Sequence, residues 1–158
     1  MNSYSAYKSA MTNHFWEYKE VAFGKNSGYF DEETSRGSRP PVFRKDSAHL
    51  NVLTKPEATE TERSALLHQV PVSERHKWFR SMSSSQALAL SVFGNLNNHG
   101  NLELLEGLKC EDGMPFSVEN DLANSQVVLE YSIQSLGEPR PTSIDVMLSG
   151  KSSRVFIE

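Results

Sequence analysis

The chain has 158 residues, of which 37% are hydrophobic and 23% are charged, and its formal net charge at pH 7 is −4. This length suits one domain with a modest core, and no run of about 18 apolar residues is present that would form a transmembrane helix. The single cysteine, Cys110, excludes an internal disulfide and is typical of a reducing, cytoplasmic compartment.

The charge is distributed unevenly along the chain. Residues 1–80 carry 12 Lys and Arg against 10 Asp and Glu, whereas residues 81–158 carry 4 against 10. The acidic second half repels nucleic acid unless cations neutralise part of it, so phosphate contacts are expected in the first half. The candidates are four basic residues that lie close together in the sequence: Arg36, Arg39, Arg44 and Lys45. An ordinary solvated loop is the alternative interpretation of this basic segment.

The first 58 residues show little hydrophobic periodicity, and Gly and Pro punctuate them. The aromatic segment His14-Phe-Trp-Glu-Tyr18 favours packing on a core over a free linker. We therefore predict an irregular N-terminal arm over residues 1–58, with a short helix near residues 5–18. A core over residues 59–158 follows, within a single domain overall.

Helical signals begin after this arm. Thr59 or Thr61 can cap a helix near residues 59–69, and Pro71 stops it. A weaker helical pattern covers residues 101–108.

Two further helices are predicted between these. Residues 73–80 are expected to form a short helix, with Trp78 and Phe79 in the core. Residues 83–93 give the clearest helical pattern, with a run of serines at the start and a largely buried surface. Gln86 either completes a capping box with the first serine or reaches a functional site.

The hydrophobic period changes in the last third of the chain. Residues 126–133 are rich in β-branched and aromatic residues and predict a strand. Two more apolar runs, residues 142–148 and 154–158, flank the turn signal Ser149-Gly-Lys-Ser-Ser153. Because the connections are short, we expect an α+β fold in which N-terminal helices precede a three-stranded antiparallel meander.

Asp145 and Glu158 lie in the two arms of the last hairpin. Side chains alternate along strands, and a register that brings both carboxylates onto one face is available. Mg²⁺ prefers one or two carboxylates together with water and phosphate oxygens, and such a site serves phosphodiester hydrolysis. Glu130 on the first strand is a further candidate ligand. Surface acids on ordinary strands are the alternative for all three residues.

Three segments carry a resemblance to a known family. They are residues 76–96, Leu129-Glu-Tyr131, and the stretch from Leu136 through Gly-Glu-Pro-Arg-Pro-Thr to Val146. With Ser-Ile-Asp145-Val and Val-Phe-Ile-Glu158, they make residues 70–158 resemble the PD-(D/E)XK nuclease superfamily. Within that superfamily, the chain resembles a bacterial branch of restriction endonucleases.

The resemblance implies a restriction-endonuclease-like α-β-β-β-α-β core, of which this chain holds an incomplete part. It also implies Asp145 and Glu158 as catalytic metal ligands, Mg²⁺ or Mn²⁺ as cofactor, and DNA as substrate. The family has a Lys two positions after the Glu, whereas the sequence ends at Glu158. We therefore expect a truncated, N-terminal part of a Mg²⁺-dependent DNA endonuclease with little or no cleavage of its own.

Two further expectations concern contacts. Arg140, between two prolines, either holds a phosphate or pairs with Glu138. The apolar edge strand 154–158 invites self-association. The alternative function is a non-catalytic DNA- or protein-binding module.

Overall fold

The structure of the chain is a computed structural model, and it describes residues 3–31, 39–118, 120–133 and 142–158. None of the helices within these ranges combines the length and the apolar character needed to cross a bilayer.

Two compact units make up the chain. The first comprises residues 1–52 and 76–87, and the second comprises residues 53–75 and 88–158. The predicted boundary between an N-terminal arm and a core, after residue 58, stays a prediction.

The first unit begins with helix α1, Ser3–Phe23, which ends where Gly24 adopts a φ of +83°. A left-handed glycine is the common way to end a helix, because glycine has no Cβ to clash there. The helix is longer than the short helix expected near residues 5–18. It buries only Thr12 and Trp16, so the hydrophobic periodicity that would have revealed its length is absent.

Aromatic contacts hold α1 to the rest of the first unit. The indole Nε1 of Trp16 donates to the backbone oxygen of Arg39 at 3.0 Å. Phe23 makes edge-to-face contacts with Phe30 and Phe43, and the rings of Phe30 and Phe43 stack 4.3 Å apart. The aromatic side chains Trp16 and Phe23 therefore attach α1 to residues 30–43.

The predicted helix over residues 73–80 is wrong. Only Val72–Glu74 forms a 3₁₀ turn. The following segment pairs with another part of the chain instead, because the amide of Phe43 donates to the oxygen of Arg80 at 2.9 Å. Phe79 is buried as expected, whereas Trp78 is 49% exposed.

A helical stretch runs from Ser85 to Asn98 in three parts: α3 at Ser85–Ala89, a π-helical turn at Leu90–Gly94, and α4 at Asn95–Asn98. The capping box, one of the two interpretations of Gln86, does not match the start of the helix. The helix begins two residues later than expected, where the Ser84 hydroxyl accepts the amide proton of Ala87 at 3.2 Å. The Oε1 atom of Gln86 accepts the amide proton of His76 at 3.1 Å. The surface is also less buried than expected, since Leu88 is 60% exposed.

In the second unit, α2 spans Glu60–His68. Thr59 caps it, and Glu62 completes a capping box by accepting the amide proton of Thr59 at 2.7 Å. This confirms the helix predicted near residues 59–69. The weaker pattern at residues 101–108 corresponds to a 3₁₀ helix, Leu102–Gly107.

Three antiparallel strands form the sheet of the second unit: β1 at Gln126–Ile133, β2 at Thr142–Ser149, and β3 at Arg154–Ile157. Their spatial order is β1-β2-β3, with β2 in the centre. Helices followed by an antiparallel meander confirm the predicted α+β class.

One face of the sheet carries the core of the second unit. Val146 and Leu148 of β2 are completely buried, and they cluster with Leu122 and with the 3₁₀-helical Leu102 and Leu105. Alternate residues of the neighbouring strands pack against this cluster: Val127, Leu129, Val155 and Ile157. The remaining alternate positions, which include Asp145, face outward.

Candidate metal centre

Asp145 and Glu158 occupy opposite positions on neighbouring strands. The β2–β3 register pairs Met147 with Phe156 and Val146 with Ile157, and the next step along it places Asp145 opposite Glu158. Residues directly opposite in an antiparallel pair have Cβ atoms about 4.5–5.5 Å apart on the same face. Asp145 is half-buried, and Glu158, just beyond the end of β3, is exposed. Their predicted roles as ligands stay predictions.

Glu130 lies opposite Asp145 on the other side of the central strand. The β1–β2 register pairs Leu129 with Val146 and Tyr131 with Ile144, so Glu130 faces Asp145 between these pairs. One row across the sheet therefore holds Glu130, Asp145 and Glu158. Its three members come from three different strands.

The backbone of Glu130 has an unusual conformation for a strand. Its φ is +54°, in the left-handed region that residues other than glycine rarely enter. Side chains do not alternate between the two faces of the sheet at this point of β1. Tyr131 shows this, since its ring centroid lies 6.0 Å from that of Phe156 on the outer face. The carboxylate accepts a hydrogen bond from Ser143 Oγ at 3.1 Å. The sequence carried no signal of this conformation, since neither Gly nor Asn stands at position 130.

The carboxylate row fits a partly open cation site better than a closed one. Among the residues that the structure describes, no three His, Cys, Asp or Glu side chains converge to hold a metal ion. Two carboxylates on adjacent strands are nevertheless the protein ligands that Mg²⁺ uses when water and phosphate oxygens complete its octahedron. The donor set therefore suits a hard divalent cation that is shared with a substrate.

The residues predicted to contact phosphate either belong to the first unit or fall outside the described residues. Arg36 and Arg140 fall outside the described residues. Arg39, Arg44 and Lys45 are exposed in the first unit, whereas the carboxylate row belongs to the second. Arg44 Nε lies 3.7 Å from Asp46 Oδ1, and both side chains are largely solvated, so this ion pair is weak.

Asp121 is a buried carboxylate at the hairpin that sequence reasoning missed. Its Oδ1 accepts the amide proton of Ser152 at 3.0 Å, and its Oδ2 accepts the amide proton of Ser153 at 2.9 Å. Ser153 Oγ also donates to Oδ2, at 2.5 Å. These bonds hold the pKa of Asp121 below its usual value, and the hydroxyl of Ser153 has the largest effect.

Glu106 supports the segment that carries Asp121. Its Oε1 accepts the amide proton of Leu122 at 2.8 Å, and its Oε2 accepts that of Asn120 at 3.1 Å. Bonds between a carboxylate and amides 14 and 16 residues away leave no local sequence pattern.

Comparison with family models identifies a family for most of the chain. A family model, REase-ARP, described as "Restriction Endonuclease associating with ARP", matches residues 9–158. No curated protein and no solved structure is found to be similar to the chain. The match covers nearly the whole sequence, including the three strands of the sheet. The chain therefore belongs to the REase-ARP family of restriction-endonuclease-related proteins.

Proposed function

We propose that the chain supplies the metal-binding strands of a divalent-metal-dependent DNA endonuclease of the PD-(D/E)XK type. Asp145 and Glu158 would be the carboxylate ligands. The observation that carries the proposal is the β2–β3 register, since its continuation by one step past Val146 and Ile157 places Glu158 opposite Asp145. Mg²⁺ or Mn²⁺ held there would activate water for attack on a phosphodiester and offset charge on the phosphate.

The central position of Asp145 suits a fixed ligand. It belongs to a strand that is paired on both sides, next to the completely buried Val146. The other proposed ligand, Glu158, is exposed and can adjust to a substrate. A site that is rigid on one side and open on the other matches a cation shared with a phosphate.

Glu130 adds support from backbone strain. A non-glycine residue with φ near +54° is held in place only when its surroundings determine it, and such residues cluster at functional sites. Here the strained residue faces Asp145 across β1 and β2. We therefore assign Glu130 to the same site, as the residue that orients Asp145.

Metal binding tests the proposal directly. Titration of the chain with Mn²⁺, followed by calorimetry, is expected to show one site that weakens at least about tenfold in Asp145→Asn and in Glu158→Gln. Glu103→Gln removes an exposed carboxylate from the 3₁₀ helix and serves as the matched control. Unchanged affinity in both site variants would overturn the assignment.

Nicking of plasmid DNA in Mg²⁺ or Mn²⁺ tests the reaction. Any cleavage by the chain is expected to disappear in Asp145→Asn and to survive in Glu103→Gln. Cleavage that persists in Asp145→Asn would place the chemistry elsewhere.

The second candidate function is a binding module without chemistry. The exposed basic residues Arg39, Arg44 and Lys45 favour it, and the family description names an association with ARP, which supports a protein-binding role. DNA binding that needs no metal, survives Asp145→Asn, weakens with salt and falls in Arg44→Ala would favour this alternative. No DNA binding at low salt would exclude a DNA-binding module.

A further inference from the structure

The turn between β2 and β3 is attached to a side chain outside the sheet. We propose that Asp121 is a positioning residue that sets the β2–β3 register and thereby places Glu158 opposite Asp145. The register part stands on the contacts alone, and the metal part rests on the proposed function.

The contact between Asp121 and the turn is extensive. The amides of Ser152 and Ser153 and the hydroxyl of Ser153 all donate to its carboxylate. Within the turn, the amide of Gly150 donates to the oxygen of Ser153 at 2.9 Å. A Cβ on Gly150 would overlap the Asp121 side chain, since it would lie 2.6 Å from Cγ. The carboxylate therefore occupies the space that the glycine leaves open.

Asp121 is itself fixed from both sides. The amides of Asn120 and Leu122 donate to Glu106, and Leu122 is completely buried in the core cluster. The backbone oxygen of Asp121 accepts a further hydrogen bond from Ser125 Oγ at 2.9 Å. A carboxylate on such a constrained segment can impose one position on the turn it binds.

The relative position of the two carboxylates depends on the β2–β3 register. In the structure four residue pairs define this register. A slip of one residue would turn Glu158 to the opposite face from Asp145. A slip of two residues would keep the face and move Glu158 about 7 Å along the strand, away from Asp145. Either slip would separate the two carboxylates, and the bonds of Asp121 to Ser152 and Ser153 oppose both.

Register and metal affinity, measured together in the full chain, test the proposal. Two variants weaken the contact: Asp121→Asn and Ser153→Ala. The control is Asp112→Asn, since Asp112 also accepts an amide proton two residues on, from Met114 at 3.0 Å, in an exposed loop. The readouts are cross-strand NMR contacts between Val146 and Ile157, and Mn²⁺ affinity by calorimetry.

Both variants are expected to weaken the Val146–Ile157 contacts and to lower Mn²⁺ affinity about tenfold, while Asp112→Asn matches the parent chain. Parent-like register and affinity in both variants would overturn the proposal. If Asp121→Asn does not fold, the register in Ser153→Ala decides alone.

The proposed function can fail separately. If the parent chain binds no Mn²⁺, the metal site is wrong, and the cross-strand contacts still decide the role of Asp121.

Discussion

Gly150 and Asp121 share one space at the β2–β3 turn: a Cβ built on Gly150 would lie 2.6 Å from Cγ of Asp121 and 2.9 Å from its backbone oxygen. The glycine is needed for this close approach. It does not adopt a left-handed φ, so the requirement comes from packing alone.

Gly150→Ala is therefore expected to destabilise the chain by about 1–3 kcal/mol, because the added methyl group must displace a carboxylate and the backbone behind it. Urea unfolding of the variant and the parent measures the difference. Gly107→Ala is the control, since a Cβ there has no neighbour within 4 Å. Equal midpoints for Gly150→Ala and Gly107→Ala would contradict the close approach.

Glu130→Gly is expected to stabilise the chain, which is unusual for a glycine in a strand. The left-handed conformation costs a non-glycine residue about 1–2 kcal/mol, and glycine in a strand costs about 0.5–1 kcal/mol, so the variant gains up to about 1.5 kcal/mol. Gln126→Gly, in the same strand with an ordinary φ, is expected to lose about 0.5–1 kcal/mol. Thermal unfolding of both variants gives the sign, and a loss in Glu130→Gly would argue against strain at Glu130.

Stability contributed by Glu62 is expected to vanish in acid. The amide of Thr59, with Lys55 and the Thr59 hydroxyl, lowers the pKa of Glu62 from 4.5 to about 2. Because the folded-state pKa is the lower one, this contribution is complete above about pH 4.5 and is lost as pH falls to about 2.

Urea unfolding of Glu62→Gln and the parent at pH 7, 4 and 2.5 measures it. The parent should be the more stable at pH 7, and the difference should shrink with acid. Glu103→Gln corrects for the loss of one negative charge, and a difference that stays constant with pH would refute the assignment.

Gln86→Leu separates a structural role from a role in the site. Gln86 is 1% exposed, and its Oε1 accepts the amide proton of His76. The variant removes this part-buried hydrogen bond, which costs about 0.5–1.5 kcal/mol. Mn²⁺ affinity should stay unchanged. Gln126→Leu, at an exposed position, is the control for stability, and a loss of metal affinity in Gln86→Leu would assign the residue to the site instead.

The strands, the hairpin and the start of α2 could be predicted because their signals are local. β-branched residues mark β1, the Ser-Gly-Lys-Ser-Ser turn marks the hairpin, and a capping threonine marks the start of α2, although the sequence left Thr59 and Thr61 open. The turn length allowed a register with Asp145 and Glu158 on one face without fixing it. Each of these features is decided by residues within one element or two adjacent ones.

The features that were missed depend on distant partners. Residues 73–80 do not form a helix, because part of this segment pairs through its backbone with the segment around Phe43. Helix α1 packs through aromatic contacts and has no periodic apolar face. The left-handed φ of Glu130 and the bonds of Glu106 and Asp121 arise only when separated segments meet. No single-sequence pattern encodes such contacts.

Asp121 binds the β2–β3 turn, and Glu106 binds the segment that carries Asp121. These contacts change which positions should be examined for loss-of-function mutations. If the proposed site is correct, inactivating substitutions will fall at positions 106, 121 and 150 as well as at the acidic row itself. None of these three positions carries a ligand. A survey of natural variants that inspects only Glu130, Asp145 and Glu158 would classify such alleles as intact, although Glu158 would no longer lie opposite Asp145.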